Sequence, residues 1–345
     1  MKSVGAEKEK ILSVQGLRTI AYIGIFLNHT YIVKTGFWGV SVFIILSGFM
    51  MTLSYFQHDM QFNVKSRFLL SINKIKKLYP LHVVTLLVAL ILDLIKGDLR
   101  LNGVCLAKVL LGLSLTQAWI PSRGYYFSLN GVSWYLSVCI LLYFLFPTVL
   151  CFIKKKKASQ LLLMVLVIYI LQIVLGIASL NMDLFNDIDN FTRWFTYICP
   201  LFRFGDFTIG CCVCGAFLNN NPKMSEKNAS VLEVLLCFVL LITLRMNLRG
   251  TGMFGSEWFK YNMIYTPTSV ALVFLCLINK GVLSKILSSK PMVYLGNISP
   301  YTFLIHQIVI RYIDYFSDMS KYLVAILAFC ITIVLAELYK RMRKI

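Results

Sequence analysis

Gly131-Val132-Ser133-Trp134-Tyr135-Leu136-Ser137-Val138-Cys139-Ile140-Leu141-Leu142-Tyr143-Phe144-Leu145-Phe146-Pro147-Thr148-Val149-Leu150-Cys151-Phe152-Ile153 contains no charge and ends at Lys154-Lys155-Lys156-Lys157. As a helix this stretch would span about 35 Å, enough to cross a hydrocarbon layer about 30 Å thick. The lysine block that stops it is a strong cytoplasmic marker. One transmembrane span, with its C-terminal end in the cytoplasm, is the reading from which the rest follows.

Working outward, similar apolar runs lie near 14–33, 37–56, 78–95, 104–120, 158–180, 194–218, 229–246, 261–279, 294–312 and 321–339. If every run crossed, the four lysines and the basic N-terminus would sit on opposite sides. Reading 104–120 as a re-entrant or interfacial helix leaves ten spans. Both termini then lie in the cytoplasm, with the stretch holding Lys65, Arg67, Lys74, Lys76 and Lys77 and the closing Lys340-Arg341-Met342-Arg343-Lys344. The expected fold is all-α, a polytopic transmembrane helix bundle, with residues 1–345 forming one domain and no extracytoplasmic domain appended.

Composition agrees. Of 345 residues, 58% are hydrophobic and only 14% charged, with a mean hydropathy of +0.75. A soluble domain carries about 25% charged residues, so an ordinary soluble enzyme and a disordered chain are both excluded. The net charge of +19, from 34 Lys+Arg against 15 Asp+Glu, fits basic cytoplasmic loops. No basic stripe interleaved with exposed aromatics stands apart from the spans, and no nucleic-acid partner is expected. The ten cysteines lie in or beside apolar runs and form no disulfide framework. Cys211, Cys212 and Cys214 have no histidine nearby, so no metal site is expected. The first run lacks a small-residue cleavage site and reads as a retained span.

A few polar residues interrupt the spans, and ionisable groups at depth usually face a cavity or a bundle interior. Arg18 and His29 are eleven positions apart, about three helical turns and roughly 16 Å, and so share one face. The plain alternative is a snorkelling Arg18 and a hydrogen-bonded core His29. Ser47-Gly48 reads as a small-residue step that lets spans 1 and 2 pack closely, or as a nucleophile needing a base. Arg203 and Asp206, at i and i+3, form either a structural ion pair or part of a substrate site. His306 is a packed histidine or a second base. Trp134 belongs to an interfacial aromatic belt, or to a platform for a sugar ring. Lys74 and Lys77 share a helical face, for topology or for anion binding.

The order of these residues carries a resemblance. Gln15-Gly16-Leu17-Arg18 with His29, then Phe43-Ile44-Ile45-Leu46-Ser47-Gly48, resembles the opening of the acyltransferase-3 family of integral-membrane O-acyltransferases. Lys74-Ile75-Lys76-Lys77-Leu78-Tyr79-Pro80 is similar to the family's basic segment. Ser133-Trp134-Tyr135-Leu136-Ser137 with Tyr143 and Pro147 resembles its fifth-span motif. Pro200-Leu201-Phe202-Arg203-Phe204-Gly205-Asp206-Phe207 with Gly210, and Leu295-Gly296-Asn297-Ile298-Ser299 running into Leu304-Ile305-His306-Gln307, resemble later ones. The chain departs from the family where Gln15 and Ser41 replace a frequent Asp, Cys139 replaces a frequent Glu, and lysines replace arginines at 74 and 77.

The resemblance implies transfer of an acyl group, most commonly acetyl, from cytoplasmic acetyl-CoA or another acyl-CoA. The implied acceptor is a hydroxyl of a cell-surface polysaccharide or lipid-linked glycan. It also implies a multi-pass protein of a bacterial inner or plasma membrane, in contact with membrane lipid and with envelope-biosynthesis proteins. His29 is then the general base, a neutral imidazole near physiological pH being suited to that task, or the carrier of a transient acyl group. Arg18, Lys74 and Lys77 face the phosphates of the donor, with lysine acting as a point charge without arginine's fork. A proton-coupled transporter or flippase of an anionic envelope precursor, with His29, His306 and Arg203 along its path, is the competing expectation. It calls for inverted repeats and broken helices.

Overall fold

The computed structural model describes residues 3–58, 63–182, 188–220, 222–250 and 256–343. The described residues form helices joined by turns. These are α1 (Ser3–His29), α2 (Gly36–Tyr55), α3 (Val64–Ile75), α4 (Tyr79–Lys96), α5 (Gly103–Ser114), α6 (Arg123–Tyr126), α7 (Trp134–Lys154) and α8 (Ala158–Ser179). There follow α9 (Ile188–Arg193), a π-helical turn (Trp194–Ile198), α10 (Pro200–Asn220), α11 (Glu226–Arg249), α12 (Glu257–Lys260), α13 (Thr266–Ile278), α14 (Val282–Leu287), α15 (Lys290–Phe316) and α16 (Lys321–Met342).

Among the described residues, eight stretches are long and apolar enough to cross a membrane: 36–55, 79–96, 131–154, 158–179, 191–220, 226–249, 258–278 and 321–342. The two longest helices, α1 and α15 at 27 residues each, are not in that set. They carry Gln15, Arg18, Asn28 and His29, and Asn297, Ser299, His306 and Gln307, respectively. Both pack inside the bundle, against each other and against α2, α13, α14 and α16. The run at 104–120 becomes the 12-residue α5, about 18 Å long and too short to cross. Asn102 starts it by accepting a hydrogen bond from the Cys105 amide at 3.0 Å, and Leu115 ends it in the left-handed region at φ 54°.

α2 buries most of its side chains and lies at the centre, against α1, α10 and α13. The Ser47-Gly48 step packs on a different neighbour from the one the sequence suggested. A methyl group at Gly48 would strike the Phe207 carbonyl of α10, and one at Gly210 would strike the Ile45 carbonyl of α2. The two glycines therefore let the backbones of α2 and α10 cross in contact, and the Cys211 thiol bonds the Gly48 carbonyl at 3.3 Å. Around this centre, α8 and α11 leave rows of apolar side chains uncovered, Leu162, Leu166 and Ile170 on one and Leu232, Leu235 and Val239 on the other. Such faces suit acyl chains, which need no polar cover.

Lys74, Lys77, Lys154 and Arg343 stand together at one end. Lys154 Nζ donates to the His58 carbonyl at 2.8 Å, and Arg343 donates to the Lys77 carbonyl. α7 begins at Trp134 at the far end and delivers Lys154 here. The shared helical face expected for Lys74 and Lys77 does not form: α3 stops at Ile75, and Lys77 stands in the turn that leads to Tyr79-Pro80 at the start of α4.

Candidate functional site

Two cavities enter the bundle from opposite ends and meet at one side chain. The inner one, about 100 Å³, is bordered by Arg18, Ser47, Leu78, Tyr135, Tyr143 and Phe303. The outer one, about 620 Å³, is bordered by His29, Trp134, Tyr197, Arg123, Arg193 and Phe303 among others. Phe303 of α15 is their common wall, held by ring contacts to Phe43 at 6.1 Å and Tyr135 at 5.4 Å. The continuous helix α1 explains why Arg18 and His29 both border interior space, one in each cavity: eleven residues bring the helix back to the same face.

In the inner cavity, Arg18 Nη1 donates to Gln15 Oε1 at 3.4 Å, while its Nε has no partner. Ser47 donates to the Phe43 carbonyl at 2.9 Å. The Tyr135 hydroxyl, 3.1 Å from Ser47 Oγ, must therefore be the donor of that second bond. The inner side is thus lined by one guanidinium and the hydroxyl-bearing Ser47, Tyr135, Tyr143 and Ser299 amid aromatic and aliphatic walls.

His29 is the last residue of α1 and faces the outer cavity. His306 of α15 stands behind it, ring centroids 5.1 Å apart and edge to face. His306 Nδ1 lies 3.1 Å from the Thr302 carbonyl. A carbonyl only accepts, so Nδ1 carries the proton and Nε2 offers a lone pair, which no protein group occupies. Tyr22 and Phe26 close the remaining sides of His306, at 5.7 and 6.1 Å.

Trp134 is not in an interfacial belt. It is 4% exposed, borders the outer cavity, and packs on Tyr197 at 5.1 Å. Phe37 adds a third ring, 5.2 Å from Tyr197. An aromatic wall of this kind suits the apolar face of a sugar ring or another flat ligand.

Arg203 and Asp206 do pair, at 3.0 Å and with both side chains fully buried. They form a separate network beside the cavities. Asp206 also accepts from Gln172 Nε2 at 3.2 Å and from Asn262 Nδ2 at 3.0 Å, and Ser41 donates to Asn262 Oδ1 at 2.9 Å. The network ties α2, α8, α10 and the turn before α13 together. Arg203 reaches the outer cavity only through Tyr197, whose ring lies 5.8 Å from the guanidinium. Lys74 and Lys77 stand outside both cavities: Lys74 Nζ lies 4.6 Å over the Tyr55 ring, and Lys77 is exposed. Among the described residues, no three His, Cys, Asp or Glu side chains converge as metal ligands do.

The acyltransferase-domain family known as acyltransferase 3 matches residues 11–339. The chain belongs to the acyltransferase-3 family. Within it, the chain is similar to acyltransferase MdmB of Streptomyces mycarofaciens, 28% identical over 169 residues. That match covers 44% of this chain and 42% of the relative, so the chain spans less than half the length of the relative it matches. No solved structure gives a significant match.

For this acyltransferase-3 protein, the sequence reading quoted Tyr135 and Gln307 within motifs but gave them no role, and it passed over Phe303, Arg123 and Arg193; the fold brings all five to the cavities. Tyr135 and Gln307 stand inside quoted motifs and Phe303 directly precedes Leu304 of another, and that placement was a usable signal. The two arginines lie in short helices outside the motifs, and only the folded chain shows them facing His29's cavity.

Proposed function

We propose that the protein is a membrane O-acyltransferase that takes an acyl group, acetyl in the first instance, from acyl-CoA at its basic end. The group passes to a hydroxyl bound in the outer cavity, with His29 as the base. The observation that carries this reading is the position of His29, on the outer cavity's wall and on the same helix face as Arg18 in the inner one. Donor and acceptor entering from opposite ends would meet beside Phe303 and the imidazole. Arg18 and the basic end, including Lys74 and Lys77, supply positive charge for the donor's phosphates.

The neutral imidazole of His29 accepts the proton of the acceptor hydroxyl as its oxygen attacks the thioester carbon. The carbon–sulfur bond then breaks, and the imidazolium returns the proton to the departing thiolate. The products are an ester, free CoA thiol and neutral His29. A carbohydrate of the cell envelope is the acceptor that the aromatic wall of Trp134 and Tyr197 favours. A bacterial inner or plasma membrane is the setting, with envelope-biosynthesis proteins as neighbours.

The test is transfer from radiolabelled acetyl-CoA in membranes containing the parent or His29→Ala at equal protein levels. Label is expected in a carbohydrate fraction with the parent, and at least about 100-fold less with the variant, the ordinary scale for losing a general base. Equal labelling by both proteins would remove His29 from the chemistry.

A further inference from the structure

Arg123 and Arg193 have no task in the chemistry above, yet both border the cavity that holds His29. This is the end of the bundle opposite the lysine block, where membrane topology disfavours cations. Orientation in the membrane therefore gives no reason for them. Arg193 is also built into place. Its guanidinium lies 5.0 Å from the Tyr261 ring and 5.7 Å from the Phe127 ring, an arrangement that attracts a cation to the ring faces and fixes the plane of its donor fork. Its Nε is buried without a hydrogen-bond partner, and a buried donor left unpaired is costly.

The charges nearby do not cancel. No carboxylate borders the outer cavity among the described residues. An adjoining cavity of about 250 Å³ shares Arg123 and Gln307 with it and adds Lys108, Arg311, Asp93 and Asp98. Asp93 is paired with Arg311, and Asp98 lies 3.4 Å from Lys96. Arg123, Arg193 and Lys108 therefore remain without ion partners among the described residues. An outer cavity of about 620 Å³ is ample for a monosaccharide with one charged substituent.

Building on the acyl-transfer reading, we propose that the acceptor is an anionic sugar, bearing a phosphate or a carboxylate. Arg193, assisted by Arg123, holds that anion, while the aromatic wall holds the ring and turns a hydroxyl toward His29. Arginine's planar fork matches both anions in two-point contact, so the anion fixes the orientation of the sugar and thereby the hydroxyl that is acylated.

Binding to purified full-length protein in detergent tests this apart from transfer, with glucose 1-phosphate, glucuronate and glucose as probes. At least one anionic probe is expected to bind ten-fold or more tightly than glucose; which one does so identifies the anion as phosphate or carboxylate. Arg193→Gln should lose ten-fold or more of that affinity, Arg193→Lys should recover part of it, and His29→Ala should keep it. All variants are to be compared at equal thermal stability and monodispersity. Equal binding of glucose and both anions, binding of none, or unchanged affinity in Arg193→Gln would overturn the proposal. Acetyl transfer by the parent without anion-selective binding would overturn this inference alone. Anion-selective binding by a parent that transfers nothing would support the subsite and count against the acyl-transfer reading.

Discussion

His29 and His306 stand 5.1 Å apart with different surroundings. One faces a cavity, and the other is enclosed by Tyr22 and Phe26 and tied to the Thr302 carbonyl. In the proposed reaction this difference gives His29 the proton transfer and leaves His306 a positioning role. Replacing His306 by Ala is accordingly expected to lower transfer by less than His29→Ala does, with kcat for the two variants as the measurement. Asp206 makes a contrasting case, since it holds structure. Asp206→Ala would strand the fully buried Arg203 charge and is expected to cost about 3–5 kcal/mol, read as a fall in thermal unfolding temperature in detergent. Arg203→Met with Asp206→Leu should recover much of it. Arg18, His29, Arg203 and Asp206 were legible in the sequence because each is a charge or imidazole in an apolar run, where such groups are expensive. The meeting of His29 with His306, and Trp134's place in the cavity wall, were not, because they depend on how α1 and α15 or α7 and the Trp194–Ile198 turn approach in space.

Among the helices, the α2–α10 crossing fixes the geometry of everything around it. Gly48→Val or Gly210→Val would drive a side chain into a carbonyl of the facing helix, where neither backbone can yield. Each is expected to destabilise by about 3 kcal/mol, seen as loss of monodisperse protein on size exclusion, and Gly48→Ala should destabilise too, because its methyl meets the same Phe207 carbonyl. The sequence marked Gly48 as a point of close approach but named α1 as the partner. Small residues announce contact without saying with what, and the choice is made by long-range packing. The short α5 was readable for a different reason: hydropathy counted the run at 104–120 as a span, and only the sidedness of the lysines argued against it. α1 and α15 show the converse. Their polar residues depress hydropathy because the two helices line the cavities.

For the molecule as a whole, Phe303 stands between the inner and outer cavities. Phe303→Ala should join the inner and outer cavities and admit water to the thioester. The expected result is acceptor-independent release of CoA thiol from acetyl-CoA, several-fold above the parent, measured with a thiol reagent; an unchanged rate would show that another group forms the barrier. The contacts of α1 carry a different consequence, one in time. This helix is synthesised well before α13, α14 and α15, the helices against which it settles. It is not among the helices apolar enough to cross a membrane by composition, so it would be sheltered at the insertion machinery or by α2 until α15 has been synthesised. Chains cut short before α15 would then lack the surface that receives α1, and quality-control proteases would have an unhoused helix to seize.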